Sequence, residues 1–180
     1  DERRRVEQAW QVTLPAVRGF TIPEMFTAAG SGEIKAMYIV GENPVLSDAN
    51  ANHVRHALHS LDFLIVQDLF LTETAQLADV VFPAASFAEK EGTFTNTERR
   101  IQRVRKAVAP PGDSRPDLDI IVALAARMGY TMPNSVPSEV MAEISSLTGI
   151  YRGVTYERLE GQGLQWPIPS LEHPGTQYLH

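Results

Sequence analysis

Three polar stretches, each directly behind a run of apolar residues, carry the groups in this sequence best suited to hold a ligand. They are Gly41-Glu42-Asn43-Pro44, Gln67-Asp68 and Pro83-Ala84-Ala85-Ser86. Gly41 lets the backbone turn with positive φ or come close to a ligand. Asn43, Gln67 and Asp68 supply donors and acceptors, and a carboxylate such as Asp68 can accept two hydrogens from a guanine edge or from ribose hydroxyls. Ser47 and Thr72 stand where helices are expected to begin, and helix N-termini favour phosphate. Together these residues suit a nucleotide. Gly41-Glu42-Asn43-Pro44 reads equally as an ordinary turn, because Asn-Pro and Gly both favour turns.

Other chemistries find less support. Neither the dinucleotide fingerprint G-x-G-x-x-G nor the phosphate loop G-x-x-x-x-G-K-S/T is present, and there is no G-x-S-x-G elbow. His53, His56 and His59 recur at helical spacing, but no carboxylate or thiolate partner sits at ligand spacing, so a solvated helix face is expected. Glu98-Arg99-Arg100 with Arg103, Arg105 and Lys106 is a basic run that reads as a solvated face or a docking patch. The sequence has no cysteine, which excludes disulfides, thiol catalysis and any iron–sulfur or zinc-thiolate site within the chain. No catalytic constellation or metal site is expected.

The elements that position the polar stretches follow from apolar patterning. Ala36-Met37-Tyr38-Ile39-Val40, Phe63-Leu64-Ile65-Val66 and Asp79 to Phe82 are short continuous apolar runs, as in strands buried on both faces. Helices are predicted between them: Thr21 to Ala29 with Thr21 as N-cap, Ser47 or Asp48 through Leu58, and Thr72 to Leu77. This alternation predicts an α/β, doubly wound, Rossmann-like parallel sheet with flanking helices. In such sheets ligands bind beyond the carboxyl ends of the strands, where all three polar stretches fall. Gly92 to Asn96 with Ile101 to Val104 predicts a hairpin or an extended arm. Ser114 is expected to cap a helix from Arg115 to Met128 that Gly129 ends, and Pro137 to Leu147 predicts another.

At 180 residues the chain is expected to hold about one domain. It divides into a loosely attached lead-in at 1–20, an α/β body at 21–148, and an irregular tail at 149–180 that is expected to fray without a neighbouring domain. The first residues, Asp1-Glu2-Arg3-Arg4-Arg5, include no initiator Met, which suggests a piece excised from a longer protein. Hydrophobic residues at 43% and charged residues at 21% are those of a globular domain. With 16 basic against 22 acidic residues, net charge −6, no nucleic-acid partner is expected. No apolar run is long enough to span a bilayer and no membrane contact is expected; the expected location is cytoplasmic.

Two longer stretches carry a resemblance. One is Met37-Tyr38-Ile39-Val40-Gly41-Glu42-Asn43-Pro44 with Ile65-Val66-Gln67-Asp68-Leu69-Phe70-Leu71-Thr72-Glu73-Thr74-Ala75. The other is Ala78-Asp79-Val80-Val81-Phe82-Pro83-Ala84 running into Glu89 to Arg100. In this order and spacing they resemble the third domain of the large catalytic subunit of molybdopterin oxidoreductases, the dimethyl-sulfoxide-reductase superfamily, over residues 20–130. Formate dehydrogenase alpha subunits are the most similar members, since Gln165-Trp166-Pro167 and His173-Pro174-Gly175-Thr176 resemble their later sequence. Periplasmic nitrate reductase and the non-redox large subunit of respiratory NADH dehydrogenase share the earlier motifs.

The resemblance implies a domain that binds one of two molybdopterin guanine dinucleotides clamping molybdenum or tungsten. It places Gly41, Asn43 and Ser47 against the nucleotide, Gln67 and Asp68 at the guanosine end, and Thr72 where the next helix begins. Lys90 matches a cofactor-contacting lysine of nitrate-reductase-type members and Asp117 an acidic contact. These two assignments come from the resemblance alone. In the family the metal-ligating cysteine or selenocysteine and the 4Fe–4S cluster belong to earlier domains of the parent. The expected function is therefore a cofactor-binding piece of a formate dehydrogenase, inactive in isolation. Its expected partners are the other domains of the subunit and the parent's electron-transfer subunits. The alternatives are a non-catalytic structural domain of the NADH dehydrogenase type, or the same domain of a nitrate reductase.

Overall fold

Five apolar residues that stop at a glycine form the first strand of the computed structural model, which describes residues 2–133 and 135–179. In chain order the elements are α1 (Glu2–Trp10), α2 (Ile22–Gly30), β1 (Ala36–Val40), α3 (Pro44–Ser47), α4 (Ala51–His59), β2 (Phe63–Asp68) and β3 (Val80–Pro83). Then come β4 (Gly92–Thr95), β5 (Arg100–Val104), α5 (Asp117–Arg127), α6 (Pro137–Leu147) and β6 (Leu164–Gln165). The chain divides into two units. One holds Ala16–Ser86 with Pro110–Arg115; the other holds Asp1–Pro15, Phe87–Ala109 and Pro116–His180.

In the first unit β1, β2 and β3 pair in that order, all parallel, with Met37 opposite Leu64, Ile39 opposite Val66 and Val66 opposite Val81. Phe26 and Ala29 of α2 and Val54, Ala57 and Leu58 of α4 cover Leu64 and Val66, with Met37 and Ile39 packed on the same cluster. Full burial of such a side chain contributes about 1.5–3 kcal/mol, so this cluster fixes the strand ends in space. The α/β architecture with flanking helices is as expected.

The helix boundaries differ from expectation in instructive ways. The segment predicted as one helix from Ser47 or Asp48 to Leu58 is two, α3 and α4. Pro44 starts the first; Asp48 is extended at ψ 144°, and its carboxylate accepts the N–H of Asn50. Asn50 in turn caps α4 by accepting from His53 N at 3.1 Å. Thr72 to Leu77 shrinks to a single 3₁₀ turn, Ala75–Leu77, whose first N–H is bonded by the Thr72 hydroxyl at 3.1 Å. Thr21 does head α2, with the Glu24 carboxylate accepting its N–H at 2.6 Å. Pro116, not Ser114, is the N-cap of α5, because Ser114 spends its hydroxyl on Pro111 O at 2.7 Å. Gly129 ends that helix region with φ +85°, as expected of a C-terminal glycine.

The second unit is built on an antiparallel hairpin. Gly92 pairs with Val104 and Thr95 with Ile101, and β6 adds beside β5 through Arg100–Gln165 and Ile101–Leu164. Residues 2–10, within the expected lead-in, are helical, and Trp10 Nε1 donates to Glu143 Oε1 of α6 at 2.7 Å. The tail, expected to fray without a neighbouring domain, is irregular but carries buried side chains. Val154, Tyr156, Leu159 and Ile168 are buried with Ile101 and Met141 in a core of their own. Two arginines fasten that irregular chain by its carbonyls. Arg99 donates to Trp166 O, Thr176 O and Gln177 O, and Arg158 to Gly153 O, Ser170 O and His173 O. Backbone carbonyls bonded this way replace the ladder that periodic sequence would have signalled.

Candidate functional site

Gly41, Asn43, Ser47, Gln67, Asp68 and Thr72 all stand at or just beyond the carboxyl ends of β1 and β2 in the parallel-sheet unit. Gly41 has φ +63° and donates its N–H to Gln67 O at 2.8 Å. A Cβ built there meets nothing within 4 Å, so backbone conformation and not crowding demands glycine.

Asn43 ties two of these loops together. Its Oδ1 accepts the Thr74 hydroxyl at 2.7 Å and the Thr74 N–H at 3.3 Å, while its Nδ2 donates to Glu73 Oε2 at 2.8 Å. Thr74 is fully buried, and its oxygen accepts the Val45 N–H at 3.2 Å. Sequence reasoning did not single out Thr74 or Glu73. Their signal is only that a polar threonine follows a strand end inside an otherwise apolar shell. The Asn43 amide also holds the Glu73 carboxyl below the usual carboxylate range.

Gln67 is fully buried, and its Oε1 accepts the hydroxyl of Tyr38. Ser47 is exposed and donates to Glu42 Oε1 at 2.6 Å. Asp68 is half-buried. Its Oδ1 accepts Phe70 N at 3.2 Å, and its other oxygen takes no hydrogen bond among the described residues. Behind it the turn Leu69-Phe70-Leu71 lies exposed. Glu42, Asp48, Asp68 and Glu73 make this edge acidic, which suits hydroxyl and guanine N–H donors better than phosphate.

Lys90 and Asp117 lie in the other unit, and there they form an ion pair, Nζ to Oδ2, with both side chains half-buried. They line a cleft of about 390 Å³ together with Gly92, Thr93, Met141 and Tyr156. Tyr156 was not anticipated. Its hydroxyl is buried with no hydrogen-bond partner among the described residues, and burial pushes its pKa up.

His53, His56 and His59 are exposed along α4. In the basic run, Arg103 pairs with Glu91 at 2.5 Å and also with Glu160, and its guanidinium lies 4.9 Å from the centre of the Tyr156 ring. That run braces the hairpin against its own unit.

Known proteins are similar over nearly the whole chain. The sequence pattern described as molybdopterin oxidoreductase matches residues 4–127. An F420-dependent formate dehydrogenase subunit alpha from Methanocaldococcus jannaschii is 50% identical over 100% of this chain and 27% of its own length. An F420-dependent formate dehydrogenase 1 subunit alpha from Methanococcus maripaludis is 51% identical over 96% of this chain and 26% of its own. Among solved structures, acetylene hydratase from Pelobacter acetylenicus superimposes with TM-score 0.65 at 25% identity, covering 90% of this chain and 23% of that one. The chain thus spans about a quarter of the length of the relatives it matches. It belongs to the molybdopterin oxidoreductase family, as a domain of the kind found in formate dehydrogenase-like large subunits.

Proposed function

We propose that this chain is a cofactor-holding part of a formate dehydrogenase large subunit and grips one molybdopterin guanine dinucleotide. The observation that carries this reading is the collection of ligand-competent groups at the strand ends, in a chain half identical throughout to formate dehydrogenase alpha subunits. The residues present fit a guanosine. Asp68 keeps an unused carboxylate oxygen at the sheet edge for guanine N–H groups or ribose hydroxyls. Gly41 leaves open space above the backbone, and Gln67, held by Tyr38, sets the position of Asp68. Ser47 and Thr72 border the same edge. Asn43 fixes the loop that carries Gly41 by bonding Thr74. Lys90, paired with Asp117 within the other unit, enters the proposal from the family resemblance alone, as a cation for phosphate charge.

When bound, the cofactor's metal, molybdenum or tungsten, supplies the two-electron chemistry that turns formate into carbon dioxide. This chain's residues bind and orient; they transfer no proton and ligate no metal. Without a cysteine, the chain holds no thiolate for the metal or for a 4Fe–4S cluster, and those groups come from the rest of the parent. Its partners are the other domains of that subunit and the electron-transfer subunits beyond it; the chain itself comprises a body at 21–148 between a lead-in and a tail. Among the described residues no helix is long and apolar enough to cross a membrane, and a cytoplasmic parent is part of the proposal.

One observation favours a second reading, a structural domain that binds nothing. Asn43, Ser47 and Gln67 all spend hydrogen bonds inside the protein. Titration with GDP, followed by amide shifts, separates the two. The cofactor reading predicts shifts at residues 41–47, 67–72, 90 and 117, absent with inorganic phosphate alone. A spectrum unchanged up to millimolar GDP would overturn it in favour of the structural reading.

A further inference from the structure

We infer that Tyr156 is a further ligand-contacting residue, its hydroxyl donating to the carbonyl of an aminopyrimidinone ring, the edge that guanine and pterin share. The inference deepens the cofactor-holding reading above and rests on it. Tyr156 is 9% exposed, and its hydroxyl has no hydrogen-bond partner among the described residues. Buried polar groups are almost always bonded, and one left unpaired lowers stability. Phenylalanine would fill the same core with Ile101, Met141 and Leu159 without that cost. Packing alone therefore gives no reason for a tyrosine here.

The charges around Tyr156 leave its hydroxyl a donor. The Glu91 carboxylate, whose charge reaches the phenol, is bonded by Arg103 Nε at 3.1 Å. The Arg103 guanidinium itself lies over the ring, 4.9 Å from its centre. Burial first, and then the Glu91 charge, raise the phenol's pKa against the pull of Arg103, so the group stays protonated at neutral pH. A neutral hydroxyl in this position lacks only an acceptor.

The cleft of about 390 Å³ that Tyr156 lines shows what that acceptor belongs to, and all of its residues lie in one unit. Pro137, Val140, Met141 and Ile144 give it an apolar wall, which suits the face of a flat ring. Its charged groups are Lys90 against Glu91, Asp117 and Asp119. With carboxylates in excess, phosphate alone is a poor ligand. Carboxylates accept from ring N–H groups, while Lys90 and Tyr156 donate to a carbonyl beside them. A ring with N–H and C=O on one edge satisfies both sets, and the dinucleotide carries that edge in its guanine and in its pterin. Met141 shares the Tyr156 core and also lines the cleft; its flexible side chain yields as the ring reaches the hydroxyl.

Binding of GDP, free pterin and ADP to the full-length large subunit prepared without cofactor tests this, with Tyr156→Phe beside the unaltered protein. ADP carries an amino group where guanine has its carbonyl. Tyr156→Phe is expected to weaken GDP, pterin or both by on the order of tenfold and to leave ADP unchanged. Its ligand-free melting temperature should not fall. A loss confined to GDP assigns the cleft to guanine, and one confined to pterin assigns it to the pterin. Unchanged affinity for both rings would overturn the inference, as would an equal loss for ADP. So would a lower melting temperature of ligand-free Tyr156→Phe, which would show that the hydroxyl has a partner within the fold. If the unaltered subunit binds none of the three, the cofactor-holding reading itself fails, and this inference with it.

Discussion

Asn43 shows how one side chain serves both fold and site. Replacing it by alanine strands the fully buried Thr74 hydroxyl, which loses its acceptor. An unsatisfied buried polar group costs about 1–3 kcal/mol, so Asn43→Ala should lower the urea midpoint accordingly. Thr74→Val with Asn43→Ala should recover little of that loss, because the buried Val45 N–H then loses its acceptor. Gly41→Ala meets no steric obstacle, so its penalty should be only the left-handed backbone, about 1–2 kcal/mol in the same assay. Glu24 offers a pH test. The Arg18 guanidinium, with help from the Thr21 N–H and hydroxyl, holds its carboxyl down at about 2. A depressed carboxyl stabilises the fold above its unfolded value of 4.5 and loses that contribution as pH falls toward 2. Thermal melts of Glu24→Gln should therefore fall below the parent at neutral pH and converge with it near pH 2. The exposed site makes the gap small, and a gap that widened on acidification would refute the assignment.

At the scale of elements, the parallel strands were legible as continuous apolar runs, although burial on both faces, expected from those runs, is not seen: β1 and β3 alternate between half-buried and exposed residues, and β2 alone holds buried ones. Their carboxyl ends, and hence Gly41, Asn43, Gln67 and Asp68, followed directly. What was not legible depends on side chains bonding to backbone. The break between α3 and α4 needs the Asp48 carboxylate to take Asn50 N, and the shift of the α5 cap needs Ser114 to prefer Pro111 O. Neither choice leaves a periodic trace. The tail from Gly149 is the clearest case, since Arg99 and Arg158 order it through carbonyls that carry no side-chain information. Arg158→Met should thus raise amide exchange across residues 153–173 by on the order of tenfold or more while leaving β1 and β2 protected. Leu64→Ala should act the other way. It removes a fully buried side chain under α2 and α4 and should cost about 2–5 kcal/mol by chemical denaturation.

For the whole molecule, family and architecture agree: an α/β unit of the molybdopterin oxidoreductase family, about a quarter the length of its formate dehydrogenase relatives. Lys90, Asp117 and the tail lie in a separate unit that periodicity alone did not delimit, because its sequence segments are scattered along the chain. The proposal that the parallel-sheet edge grips a guanine dinucleotide makes Asp68 its most exposed point. Asp68→Ala removes one exposed-edge carboxylate and a single loop hydrogen bond, so the fold should survive. The decisive measurement is the metal and guanine-nucleotide content of the full-length large subunit carrying Asp68→Ala, read beside its melting temperature. Content several-fold lower at an unchanged melting temperature is the result this account predicts. Full metal and guanine content would contradict it.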